Sequence, residues 1–163
     1  MPTARIVIRS AVAADILALG KLGAMLVAQH HAYDPKRYIA PRSAGEVGYA
    51  EFLAGELVRP EVALLTAEAA GQAVGYVYGE LEGMDWMTLR GPAGVIHDLA
   101  VSPEHRGAGL GRQLTLAGID ALERLGARQV VLSTAHQNEA AQRLFESLGF
   151  RFTLREMTRE AGG

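Results

Sequence analysis

The sequence contains no cysteine. That absence excludes disulfides, thiolate catalysis and cysteine-ligated zinc, although it does not fix a compartment. No apolar run is long enough to cross a bilayer and no signal-peptide pattern is visible, so a soluble cytoplasmic protein with no membrane partner is expected. An excess of one charge is also lacking: 16 basic and 18 acidic residues give a net charge of −2. The arginines are scattered rather than gathered, which argues against nucleic acid as a partner. Internal repeats and linker-like segments are missing too. What is present, 49% hydrophobic and 21% charged residues in a chain of 163, suits one domain over residues 1–163 with a full core.

The chemistry concentrates between Val95 and Gly126. An apolar segment, Val95-Ile96-His97-Asp98-Leu99-Ala100-Val101, meets the turn Ser102-Pro103-Glu104-His105, and Arg106-Gly107-Ala108-Gly109-Leu110-Gly111 follows. Beyond it Leu110, Leu114, Ala117, Ala121 and Leu125 recur at helical steps until Gly126, so the glycines stand between a strand and the start of a helix. There they let successive N–H groups converge near the positive end of the helix dipole, a site for an anion such as a phosphate. A tight strand-to-helix connection would also account for them; Arg106 at their side favours the anion. Two phosphate loops are excluded by spacing. A Walker loop needs Lys followed by Ser or Thr where Arg112 and Gln113 stand, and a dinucleotide fingerprint counted from Gly107 and Gly109 needs glycine at Arg112.

The remaining elements follow from periodicity and punctuation. Residues 5–9 alternate as a strand, and residues 15–31 carry Ile16, Leu19, Leu22 and Leu26 at helical spacing. After a proline-containing loop, residues 45–57 form a second helix that Pro60 closes. Residues 62–67 and 73–81 are strands joined by a turn around Gly71, residues 95–101 and 129–133 are further strands, Asn138 caps a helix to Leu148, and residues 150–158 form a last strand after Gly149. The order is β1-α1-α2-β2-β3-β4-α3-β5-α4-β6. Such an order implies an α/β fold, a mixed sheet with helices on both faces.

Arg106, Gly109 and Gly111 occupy the fixed positions of the pyrophosphate loop of the GCN5-related N-acetyltransferase (GNAT) superfamily, Arg/Gln-x-x-Gly-x-Gly/Ala, and the preceding segment resembles that family's fourth strand. The run Asn138-Glu139-Ala140-Ala141-Gln142-Arg143-Leu144-Phe145-Glu146-Ser147-Leu148-Gly149-Phe150 resembles its later motif. The resemblance covers nearly the whole chain, with room for only one strand after Phe150 where many relatives have two. It implies acetyl-CoA lying in a splay between β4 and β5 and held by Leu99, Val101, Arg106, Gly107, Ala108, Gly109, Leu110, Gly111, Asn138 and Phe145. It also implies that an amine attacks the thioester directly while the Val101 N–H polarises the carbonyl, with no metal involved.

His97, four residues before Val101, matches the position where some relatives carry a catalytic Glu or His. It is either the base or a histidine hydrogen-bonded within the sheet. Strand alternation puts it on one face with Val95, Leu99 and Val101, and turns Asp98 to the other as a structural residue. Phe145 is a departure: relatives commonly carry Tyr there, whose hydroxyl protonates the leaving thiolate, so the proton would come from Tyr33, Tyr38, Tyr76 or water. Glu80 and Glu82 form an anionic wall or an exposed strand face. His30, His31, Tyr33 and Asp34 border the acceptor region, and His105 and His136 either touch CoA or are solvated. Met84-Asp85-Trp86-Met87 lines the acceptor pocket, packs on the core or makes a contact in a homodimer. Two functions follow: an acetyl-CoA-dependent N-acetyltransferase acting on a primary amine, or an acyl-CoA-binding sensor that has lost effective chemistry. The identity of the amine has no diagnostic motif.

Overall fold

A computed structural model describes residues 5–163. The chain runs through β1 (Ile6–Ser10), α1 (Ile16–Tyr33), α2 (Gly45–Leu57), β2 (Val62–Ala69), β3 (Gln72–Glu82), β4 (Ala93–Val101), α3 (Leu110–Arg124), β5 (Val130–Leu132) and α4 (Glu139–Ser147). The five strands lie in one sheet in chain order. The first four pair antiparallel through short connections, whereas β5 pairs parallel to β4 after the α3 crossover.

Each sheet face has its own core. Leu19 and Leu22 of α1 and Leu53 of α2 pack with Tyr76, Tyr78 and Ala100 on one face. Leu110, Leu114 and Leu122 of α3 pack with Val77 and Ile96 on the other. The fold is therefore a mixed sheet covered on both sides, and the predicted α2 agrees with the structure at both ends.

Two expectations are corrected. Residues 150–158 do not form a strand, and Phe152 and Leu154 are exposed. Their apolar alternation would need a ladder partner, but the Phe150 N–H turns back to the Phe145 carbonyl (3.1 Å) and Glu156 pairs with Arg37 in the loop after α1, which ties the segment there instead of to β5. The second correction concerns β4. Its register against β3 passes from Tyr78↔Asp98 to Gly79↔Ile96, so His97 is an extra, unpaired residue in a β-bulge. The insertion reverses the alternation. His97 stacks on Tyr78 (5.2 Å between ring centroids), and Asp98 accepts a hydrogen bond from Tyr76 (2.9 Å), so both lie on the α1/α2 face. Leu99 and Val101 instead pack on the α3 face.

The first strand is anchored by charge. Arg9 grips Asp15 through two hydrogen bonds (2.7 and 2.9 Å) and Glu68 of β2 through two more (3.0 and 2.6 Å), while Asp15 also accepts the Val12 N–H (2.8 Å). These donors, the Arg9 guanidinium first, hold the Asp15 carboxyl below its ordinary pKa of 3.8 despite burial. A carboxylate whose pKa is lower in the folded state stabilises the fold above its unfolded pKa, and that contribution disappears as pH falls through the folded value. Asp15→Asn should therefore cost about 1–2 kcal/mol at pH 7, modest because Arg9 is half-exposed and keeps Glu68. Urea midpoints measured from pH 7 to pH 2 should show the variant and the parent converging in acid.

Candidate functional site

The bulge creates an open strand edge. β4 and β5 pair only through Gly94↔Val130, Val95↔Val131 and Ile96↔Leu132, after which β4 continues to Val101 with β5 already ended. The Ser102 N–H donates to the Val74 carbonyl of β3 (2.8 Å). In an antiparallel ladder residues alternate in which neighbour they bond, so Ala100 and Asp98 direct their backbone groups to β3, and Leu99 and Val101 direct theirs away from it, toward the gap. At the end of this edge the Val101 carbonyl accepts the Arg106 Nε–H (3.1 Å), which fastens the glycine loop to the strand.

The loop has the conformation its glycines permit. Gly107 and Gly109 both have φ +79°, in the left-handed region, and Gly109 is the N-cap of α3. Gly111 differs: it lies inside α3, where a Cβ would meet only Leu144 at an ordinary contact distance of 3.5 Å. The free N–H groups at the start of α3 face a cleft of about 760 Å³. Gly107, Gly109, Gly111 and two guanidinium-bearing residues, Arg106 and Arg112, line this end; Asn138, Leu144 and the buried ring of Phe145 close it. The Asn138 side chain caps α4 by accepting the Ala141 N–H (3.2 Å), and Phe145 stands edge-on to Phe150 (5.8 Å). The arrangement suits a long ligand with phosphates at one end and an amide chain along β4.

The other end of the cleft is roofed by α1 and α2. Tyr49 of α2 crosses to Asp98 (2.5 Å), and Met25, Tyr33, Tyr38 and Ile39 line the space beside it. Between the two ends stands His97, whose Nε2 lies 3.2 Å from Glu80 Oε1 and 3.2 Å from Glu82 Oε1. An ionised carboxylate only accepts hydrogen bonds, so Nε2 carries a proton toward Glu80 and Glu82. The donor atoms of His97, Glu80 and Glu82 lie within 4.8 Å of one another, a spacing that could hold a cation. Here Glu80 pairs with Arg59 (2.7 Å), which also holds Glu56 and Glu61, and Glu82 pairs with Arg90 (2.5 Å).

The model of the acetyltransferase (GNAT) family matches residues 27–150. The chain belongs to this family. It is 47% identical over 98 residues to a mycothiol acetyltransferase of Thermobispora bispora, covering 57% of this chain and 32% of that protein. It is also 44% identical over 63 residues to N-alpha-acetyltransferase 30 of Schizosaccharomyces pombe, covering 39% of this chain and 40% of that one. The matched region thus spans only about a third of the mycothiol acetyltransferase, at 32%. Along its full length the chain superimposes on an aminoglycoside N-acetyltransferase solved in complex with CoA, with a TM-score of 0.75 at 19% identity, covering 100% of this chain and 99% of the other. That likeness establishes the GNAT fold.

Within this GNAT fold the cleft gathers His97, Leu99, Val101, Arg106, Gly107, Gly109, Leu110, Gly111, Asn138 and Phe145. Ala108 belongs to the same loop but is exposed and does not line the cleft. His30 lines it with Nδ1 on the Leu26 carbonyl (2.8 Å), whereas His31 turns its Nδ1 to the Tyr38 carbonyl (3.1 Å). His105 is held by Ser102 (2.8 Å), and neither it nor His136 reaches the cleft. Met84, Trp86 and Met87 are exposed on the β3–β4 connection, away from the pocket. Tyr76 is fully buried with its hydroxyl on Asp98, and burial beside that carboxylate pushes its pKa up, so it is no proton donor to the cleft. Sequence reasoning turned Asp98 to the opposite face as a structural residue and placed neither Tyr49 nor Arg112 in the site, whereas all three line the cleft.

A signal for Tyr49 existed in the α1 glycines. A Cβ on Gly20 would lie 2.5 Å from the Glu46 carbonyl oxygen and 2.7 Å from Ala50 Cβ, and one on Gly23 would lie 2.2 Å from the Tyr49 ring. Both glycines let α2 settle close enough for Tyr49 to reach Asp98. Gly20→Ala opposes a backbone carbonyl, so its overpacking should outweigh the helix-propensity gain and leave a net loss of about 1–2 kcal/mol. Gly23→Ala should cost at least as much stability, because its Cβ would also lie 2.6 Å from Tyr49 Cγ, an atom on the axis about which the ring rotates. Chemical denaturation of the two variants checks this order.

Proposed function

We propose that this GNAT protein transfers the acetyl group of acetyl-CoA to the nitrogen of a primary amine. The observation that carries the reading is the β4 edge of Leu99 and Val101, unpaired beyond Ile96 and leading straight into the positive-φ glycines at the start of α3. On this reading the loop N–H groups, with Arg106 and Arg112, hold the pyrophosphate, and the Leu99 and Val101 backbone takes the amide chain. Acetyl-CoA, when bound, supplies an acyl carbon activated as a thioester.

The chain's own residues then have defined tasks. The Val101 N–H is an oriented donor for the oxygen on which negative charge develops. An alkylamine with a reference pKa of ~10.4 is mostly protonated near neutrality, so a proton must be removed before attack. His97 accepts that proton at Nδ1, directly or through water, while Glu80 and Glu82 fix the ring through Nε2. Phe145 offers no proton to the leaving sulfur; a thiol of pKa ~8.5 departs as its anion, or takes a proton from Tyr33, Tyr38 or water. This gap at Phe145 is the feature that favours a second reading, an acyl-CoA sensor without turnover. The cytoplasm, where acyl-CoA donors are made, is the compartment that the acetyltransferase reading requires.

Calorimetry with CoA tests the donor site. Gly109→Val forces a β-branched residue into the left-handed region and should abolish measurable CoA binding in a protein that still melts cooperatively. Unchanged affinity in that folded variant would overturn the assignment. For the chemical step, His97→Ala should lower kcat/KM by about 10²-fold or more with CoA affinity preserved. CoA binding without acetylation of any amine would leave the sensor reading in its place.

A further inference from the structure

Asp98 is the one carboxylate among the described residues that line the cleft. Both of its recorded side-chain hydrogen bonds fall on a single oxygen: Tyr49 and Tyr76 donate to Oδ2 at 2.5 and 2.9 Å, and no described residue bonds to Oδ1. Among the described residues no buried side-chain oxygen or nitrogen lacks a partner, so Oδ1 is accessible, and Asp98 lines the cleft. Two phenols thus fix the carboxylate and leave its second oxygen free. The bulge at His97 is what turns Asp98 to this face, and Gly23 is what lets Tyr49 reach it.

The space beside that oxygen is apolar and aromatic. Met25, Leu26 and Ile39 form aliphatic wall, and Tyr33 and Tyr38 stand around the His30 ring at 6.0 and 5.1 Å between centroids. Cationic side chains among the lining residues are confined to Arg106 and Arg112 at the glycine-loop end. A carboxylate brought into the α1/α2 end would lose its water, find no lysine or arginine and face Asp98. An ammonium would meet a fixed carboxylate oxygen and tyrosine rings.

We infer that the acceptor is a primary amine whose ammonium docks on Asp98 Oδ1 and whose body is apolar and bears no carboxylate. The assignment rests on the acetyltransferase reading, and it makes Asp98 a substrate-binding residue held in place by Tyr49 and Tyr76. Free amino acids are thereby excluded as preferred acceptors, and arylalkyl and alkyl amines are selected.

Phenethylamine and L-phenylalanine share a ring and an amine and differ in the carboxylate, so they test the assignment with acetyl-CoA as donor. Thiol release and product mass should give a kcat/KM for phenethylamine roughly tenfold or more above that for L-phenylalanine. Asp98→Asn keeps the shape and an acceptor for the phenols but removes the charge. It should raise the KM for phenethylamine roughly tenfold or more with kcat less affected and the CoA Kd unchanged, as expected for loss of a charge-assisted hydrogen bond. Tyr49→Phe should raise that KM by a smaller factor. Equal use of the two amines, no turnover of phenethylamine by a CoA-binding protein, or an unchanged KM in folded Asp98→Asn would each overturn the acceptor assignment. Failure of the parent protein to bind CoA would instead overturn the reading on which it rests.

Discussion

One extra residue in β4 separates two halves of a strand that would otherwise be continuous. Before His97, Gly94 and Ile96 bond toward β5; after it, Leu99 and Val101 face that side, and β5 is no longer there to receive them. Unpaired backbone groups inside a sheet are costly unless something satisfies them, so an edge that begins in the middle of the molecule is a standing demand for a ligand with amide groups. The Val101 carbonyl meets part of that demand by accepting from Arg106, which carries the chain directly into the glycine loop. The open edge and the glycine loop are thus consecutive along the chain and fastened to each other through Val101 and Arg106.

The same insertion decides what lies on the opposite face. With uninterrupted alternation His97 and Asp98 would project to different sides of the sheet. Because His97 is unpaired, both project toward α1 and α2, the histidine onto Tyr78 and the carboxylate onto Tyr49 and Tyr76. An imidazole and a carboxylate held by two phenols therefore stand side by side below the helices. Their surroundings differ: Glu80 and Glu82 engage His97 and pair with Arg59 and Arg90, while Asp98 is met only by neutral phenols. Burial and the neighbouring carboxylate push the Tyr49 hydroxyl's pKa up, so it remains a donor to Asp98 through the ordinary pH range.

How much of this was legible in the sequence follows from how local each signal is. The α2 boundaries, the cap at Asn138 and the left-handed glycines are set by residues within a few positions of one another, and the structure agrees with them. The strand expected over residues 150–158 had the right alternation, but a strand also needs a free edge within reach, and the Arg37–Glu156 pair draws the segment elsewhere. The bulge left no mark in the sequence, because period-two reasoning counts every residue as paired. Asp98 was consequently read on the wrong face, and Tyr49 was overlooked because its importance lies in a contact 49 positions away.

This asymmetry explains why the glycine-loop end of the cleft can be recognised by sequence and the α1/α2 end, proposed above as the acceptor end, cannot. The glycine-loop end is lined by residues 99–112 and by residues 138–145, two segments each short enough for a spacing pattern to capture. The acceptor end is assembled from Met25 and His30 on α1, Ile39 on the following loop, Tyr49 on α2 and Asp98 on β4. They come from four separate segments, so their meeting depends on the packing of α1 against α2 at Gly20 and Gly23 and on the register of β4. A motif can record the geometry of a turn, whereas a pocket built by packing is recorded only in small residues that permit close approach, which is why two α1 glycines carry more information about the acceptor site than any charged residue around it.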